Sequence, residues 1–117
     1  MSEGAVSRRF TAISRLKLMD ELTGKQRRYL RGLANQLKAT VYLGKDGLSD
    51  AVQHAVEEAY ANRELIKVRL EKSCPVERHE AGRLLAEATE SHLVQVLGHT
   101  LVLYRPDPEE PVIQLPS

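Results

Sequence analysis

The 117-residue chain has no tryptophan, one phenylalanine and four tyrosines, so aliphatic side chains must fill its interior. Its one cysteine, Cys74, excludes an internal disulfide framework and leaves no CxxC pair or zinc cluster, which fits a reducing compartment such as the cytoplasm. No apolar run approaches the ~20 residues that a membrane span needs, and residues 1–18 lack the apolar core of a secretory signal. The signatures of catalysis are also missing. His79-Glu80 starts like H-E-x-x-H, but Arg83 stands where the second ligand belongs. His54, His92 and His99 show no ligand spacing, and the adjacent pairs Glu57/Glu58 and Glu109/Glu110 would not converge on one site. There is no G-x-S-x-G, no G-x-G-x-x-G and no Walker loop. The chain reads as a binding protein and not an enzyme, with no metal or cofactor expected.

What is present is unevenly distributed charge. The formal net charge is only +1. Residues 1–45, however, hold ten Lys/Arg against Glu3, Asp20 and Glu21, a net +7, while residues 46–117 hold seven against thirteen acids, a net −6. Such asymmetry suggests a basic surface that faces a polyanion.

The length suits one domain. Residues 1–18, with Arg8, Arg9, Arg15 and Lys17 and no clear period, are expected to form a mobile basic arm. Thr23 followed by Gln26 has the capping-box pattern, and Leu22, Tyr29, Leu30, Leu33 and Leu37 share one helical arc. Lys25, Arg27, Arg28, Arg31 and Lys38 occupy the remainder. That face could be an ordinary solvated one, but five cations without an acid repel one another, which favours an anion-binding role. Val41-Tyr42-Leu43 then reads as a short strand running into Gly44-Lys45-Asp46-Gly47, a G-x-x-G turn, with a helix beginning at Ser49. A glycine turn with a lysine at its tip, beside the free N–H groups of a helix start, makes a seat for a phosphate. Alone, a G-x-x-G is weak evidence, because most such turns are only turns.

Val52, Ala55, Val56 and Ala59 give the second helix its stripe. Leu65–Glu71 alternates: Ile66, Val68 and Leu70 point one way, Lys67 and Arg69 the other, as solubilising residues or as further phosphate contacts. Pro75 suits the first turn of a third helix that runs to about Glu90, with Ala81, Leu84, Leu85 and Ala88 buried. Two strands around Gly98-His99 make a hairpin. Residues 106–117 hold four of the five prolines and three acids, so 107–117 is expected to be an extended or frayed acidic tail. The order α-β-α-β-α-β-β predicts an α+β fold with a mixed four-stranded sheet, in two layers with the helices on one side.

Four blocks carry a family resemblance: Leu22-Thr23-x-Lys25-Gln26-Arg27-Arg28-Tyr29-Leu30-Arg31, Val41-x-Leu43-Gly44-Lys45-x-Gly47-Leu48-Ser49, Glu64-Leu65-Ile66-Lys67-Val68, and Val94 to Pro106. They resemble the CRM domain (chloroplast RNA splicing and ribosome maturation) in its free-standing bacterial form, the YhbY family, over about Leu22 to Pro106. The resemblance implies an RNA-binding domain over residues 19–106 whose fold is similar to the C-terminal domain of translation initiation factor 3, with sheet order 1-2-4-3 and an antiparallel last strand. It implies a ribosome assembly factor acting on ribosomal RNA in precursors of the large subunit; separately, the chain is expected to be a monomer that engages no membrane. The implied RNA-binding residues are Gly44, Lys45, Asp46 and Gly47 of the loop, compared with that of KH domains, and Lys25, Arg27, Arg28 and Arg31 of the first helix; Lys38, Lys67 and Arg69 join them on charge. The alternatives are a protein–protein adaptor on the ribosome, contacting ribosomal proteins, or a binder of other structured RNA such as introns. Family members often carry a proline just before the first strand, where this chain has Lys38-Ala39, and Asp46 places an acid within the loop.

Overall fold

The computed structural model describes residues 21–117, so the basic arm expected over residues 1–18 lies outside the described residues. The element order is α1 (Gly24–Ala34), β1 (Val41–Leu43), α2 (Asp50–Tyr60), β2 (Leu65–Leu70), α3 (Arg78–Ala88), β3 (His92–Leu97) and β4 (Thr100–Tyr104). The strands form one mixed sheet in the order β1-β2-β4-β3. β1 and β2 are parallel, and β4 is antiparallel to both of its neighbours. The α+β class, the mixed four-stranded sheet and the strand order are those the sequence led us to expect.

The layering departs from expectation. Ile66, Val68 and Leu70 of β2 pack with Leu101 and Leu103 of β4 beneath Val56 of α2 and Leu85 of α3. Leu65, the residue before Ile66, points the other way and joins Val94, Val102 and Tyr104 against Leu30 and Ala34 of α1. α2 and α3 thus share one face of the sheet and α1 lies on the other. The reason is in the alternation: the outward side of β2 opens with a leucine, which needs a cover, before it turns to Lys67 and Arg69.

Helix starts follow their caps. Thr23 and Gln26 close a reciprocal capping box, each bond 3.1 Å. Ser49 Oγ accepts from the Val52 N–H. α3 begins three residues beyond Pro75, because the Glu77 carboxylate accepts the N–H groups of His79 and Glu80 and so sets the N-cap. The His79 N–H first, then the His79 ring and the Glu80 N–H, hold the Glu77 carboxyl at about 2, far below its usual 4.5. The buried stripe of α3 is Ala81, Gly82, Leu85 and Ala86, rotated from the expected one.

Residues 107–117 form neither helix nor strand, bend at 108–110 where Asp107 Oδ1 accepts the N–H groups of Glu109 and Glu110, and are docked and not frayed. Glu64, only 6% exposed, is the anchor. Its Oε2 accepts the Asp107 N–H at 2.6 Å, and its Oε1 accepts those of Val112 and Ile113 at 3.0 and 2.7 Å. Ile113 and Leu115 then pack onto the α1 side of the core, and Gln26 Nε2 donates to the Pro116 carbonyl. A second anchor closes the same end of the molecule: Arg105 lies 4.2 Å over the Tyr60 ring and donates to both Glu57 oxygens and to the Thr89 carbonyl.

Glu64→Gln replaces one acceptor by an N–H₂ that faces a backbone donor. We expect a loss of about 2 kcal/mol. Hydrogen exchange should show the Asp107, Val112 and Ile113 amides losing protection while the β2 and β4 amides keep theirs.

Candidate nucleic-acid interface

α1 carries its cations on the side turned away from Leu30 and Ala34. Lys25 and Arg28 are exposed and Arg31 is half-buried in the last turn, with no acid in the first turn of the helix. The ion pairs among the described residues, His54–Glu58, His79–Glu77, Arg83–Glu80 and Arg105–Glu57, engage none of these three. Arg27 is different. Its Nη1 donates to the carbonyls of Leu93 and, at 3.3 Å, of Val94, where β3 breaks register against β4. A bulge turns these carbonyls away from the ladder, and Arg27 satisfies them while tying α1 to the sheet. It is a structural strut rather than a free cation. Tyr29 and Leu33, placed by periodicity in the apolar stripe, are 43% and 36% exposed at its margin.

The G-x-x-G segment forms a tight turn closed by the Gly47 N–H on the Gly44 carbonyl at 3.0 Å. Lys45 and Asp46 are exposed at its tip. The two glycines have different reasons to be there. Gly47 is buried with φ +60°, a left-handed conformation that a Cβ penalises, and it faces Pro75 and Val76. Gly44 is partly open, and a Cβ there would stand 3.0 Å from the Glu71 carboxylate. A partner can therefore approach Gly44 and the tip, but not Gly47. The start of α2, expected to offer free N–H groups at the same place, is capped by Ser49 and carries Asp50 in its first turn. The positive potential at the turn comes from Lys45.

β2 connects the two regions. Its first residue, Leu65, is under α1, and its last, Leu70, precedes Glu71, which bonds back to Leu43 beside Gly44. The five steps from Leu65 to Leu70 span about 17 Å. Between these ends Lys67 and Arg69 point to the α1 side of the sheet, Arg69 exposed and Lys67 half-buried. Lys38, in the connection from α1 to β1, is exposed. Of the eleven residues nominated from sequence, Lys25, Arg28 and Arg31 of α1 and Lys67 and Arg69 of β2 stand on one side of the sheet, Lys38, Gly44, Lys45 and Asp46 lie in the connections flanking β1, Gly47 is buried against Pro75 and Val76, and Arg27 is absorbed into the scaffold. Strand pairing also sets Thr100 beside Arg69, and Gln95 beyond Val102 in the row of Lys67, which leaves no local signal in the sequence. Among the described residues no group of three His, Cys, Asp or Glu could hold a metal ion.

The family model for the CRS1/YhbY (CRM) domain matches residues 22–105, and the chain belongs to that family. It is 39% identical over 95 residues to "Probable RNA-binding protein YqeI" of Bacillus subtilis, covering 81% of this chain and 99% of that one. It is 40% identical over 98 residues to a Haemophilus influenzae protein named "RNA-binding protein", covering 84% and 98%. The solution structure of SAV1595 from Staphylococcus aureus is similar at a TM-score of 0.70 and 41% identity, over 81% of this chain and 99% of that one.

Two outcomes follow from this geometry. Gly47→Ala should cost about 1–2 kcal/mol in urea unfolding through its left-handed φ, whereas Gly44→Ala should cost little, because the Glu71 side chain can swing aside. His92 stacks on Tyr104 at 6.0 Å, and burial first, then the Arg27 charge, lowers its pKa from 6.5. The unfolded chain therefore binds the proton more readily, so stability should fall as pH drops below about 6.5. His92→Gln should flatten that slope in urea midpoints measured at pH 7.5 and 5.5; Glu77 acts only below its ordinary 4.5 and leaves this window clear.

Proposed function

We propose that this protein binds ribosomal RNA and acts as an assembly factor on precursors of the large ribosomal subunit, as a binding module and not an enzyme. The observation that carries the reading is the set of cations Lys25, Arg28 and Arg31, presented on one side of α1 with no carboxylate partner in the ion pairs among the described residues. Lys67 and Arg69 extend that charge along the same face of the sheet, and Lys45 adds to it at the turn after β1. The names of the relatives, two of which are called RNA-binding, support the choice of polyanion. The ribosomal target rests on the likeness to the free-standing bacterial YhbY type.

The mechanism is led by the RNA backbone. Each Lys or Arg that meets a phosphate releases condensed counterions, so affinity falls steeply with salt. The exposed Lys45–Asp46 tip and Gly44 let one stretch of sugar-phosphate chain approach the turn closely, in the manner of a loop that clamps backbone. Such contacts position RNA without reading its sequence.

Arg28→Ala/Arg31→Ala removes two such contacts without touching the core. It should reduce the slope of log affinity against log salt by roughly 1.5. In a gradient of cell lysate the wild type should travel with particles lighter than the mature large subunit, and the double variant should remain at the top. If the variant comigrates as well as the wild type, an adaptor held by ribosomal proteins replaces this reading.

A further inference from the structure

α1 covers only part of its face of the sheet, and what it leaves open is a single registered row. Tyr42 of β1 pairs with Arg69 of β2, Arg69 with Thr100 of β4, and Thr100 with Leu97 of β3. The two ends of this row are among the most exposed large apolar side chains of the described residues, Tyr42 at 51% and Leu97 at 64%. Strand spacing puts them about 14 Å apart. The next row, Lys67, Val102 and Gln95, lies towards α1, where Ala34 and Asn35 with these residues wall a shallow pocket. Neither row contains an acid.

A core does not need Tyr42, and a merely solvated strand gains nothing by exposing a ring and a leucine. The Tyr42 hydroxyl leans towards the Ala39 carbonyl at 3.4 Å, on the connection leading into β1. The register partner of Tyr42 on β2 is Arg69, whose guanidinium is a planar group that stacks on bases and pairs with phosphate. An aromatic ring and a cation paired in one row that holds no acid suit a nucleotide whose base is unpaired. A duplex keeps its bases inside its own stack and cannot use such a surface. The position fits as well, because the row lies between the cations of α1 and the Lys45 turn, so one strand held at both places would cross it.

We infer that the Tyr42–Arg69–Thr100–Leu97 row is a stacking platform for unpaired bases of single-stranded RNA. Tyr42 receives a base on its ring, Arg69 holds the adjoining phosphate or stacks in turn, and Thr100 and Gln95 supply a hydroxyl and an amide to base edges. Leu97 gives a second base an apolar floor at the far edge. The inference rests on the RNA-binding reading above and adds to it a preference for single strands, which contacts to phosphate alone do not provide.

The test compares a fluorescein-labelled oligouridylate with a blunt RNA duplex, each titrated with the full chain. Tyr42→Ala should weaken oligouridylate binding about tenfold, the loss of one stacked base. It should leave duplex binding and the salt slope unchanged, because no phosphate contact is removed. Tyr42→Phe should stay within about twofold of wild type on both. The native chain has no tryptophan, so Tyr42→Trp creates a lone reporter whose fluorescence should fall when oligouridylate binds. The platform is overturned if Tyr42→Ala keeps its oligouridylate affinity, if it loses both RNAs equally, or if the tryptophan signal does not respond. Wild type that binds the duplex alone also overturns it while sparing the RNA reading; wild type that binds neither RNA overturns both.

Discussion

The outward side of β2 changes chemistry halfway along, and the rest of the molecule is arranged around that change. β2 is flanked by β1 and β4, with its other side buried under α2 and α3. Leu65 requires a cover and receives α1; Lys67 and Arg69 refuse one. A helix of eleven residues is about 16 Å long and cannot blanket a four-stranded sheet in any case. The consequence is a face that is half core and half open, with the open half bordered by cations from two separate elements.

Holding α1 in that position takes more than leucines. Arg27 reaches the two carbonyls freed by the β3 bulge, the docked tail packs Ile113 and Leu115 along the same side, and Glu64 ties down the tail through three backbone N–H groups. The tail lies beyond the family match, which ends at residue 105. Polar groups here do structural work that apolar burial alone could not, since each satisfies backbone atoms that would otherwise be lost to water.

Much of this was legible in the residues. Capping signals at Thr23 and Ser49, the alternation of Leu65–Glu71 and the hairpin around Gly98 located the elements, because each is a local rule with a local cause. The failures came where a residue's role is set by something distant. Arg27 has the composition and spacing of a surface cation, and only the β3 bulge, 66 residues away, makes it a strut. Gly82 is invisible to an apolar count, yet a Cβ there would meet Leu93 and Leu101 at 3.1 to 3.2 Å, and so the helix buries that side. Glu64 looked like one more acid before a strand; its partners lie more than 40 residues onward. Of the open row, the outward direction of Arg69 was legible in the alternation, but its line-up with Tyr42, Thr100 and Leu97 is set by strand pairing.

The central claim is that RNA is met by the α1 side of the sheet and not by the side under α2 and α3. Amide chemical-shift mapping of the ¹⁵N-labelled chain, titrated with a single-stranded RNA, addresses it directly. The account predicts that the perturbed amides trace a continuous path through Lys25, Arg28, Arg31, Lys67, Arg69, Tyr42 and Lys45, with α2 and α3 silent. Perturbations concentrated instead on the outer faces of α2 and α3, around Glu58, Arg83 and Glu87, would contradict it.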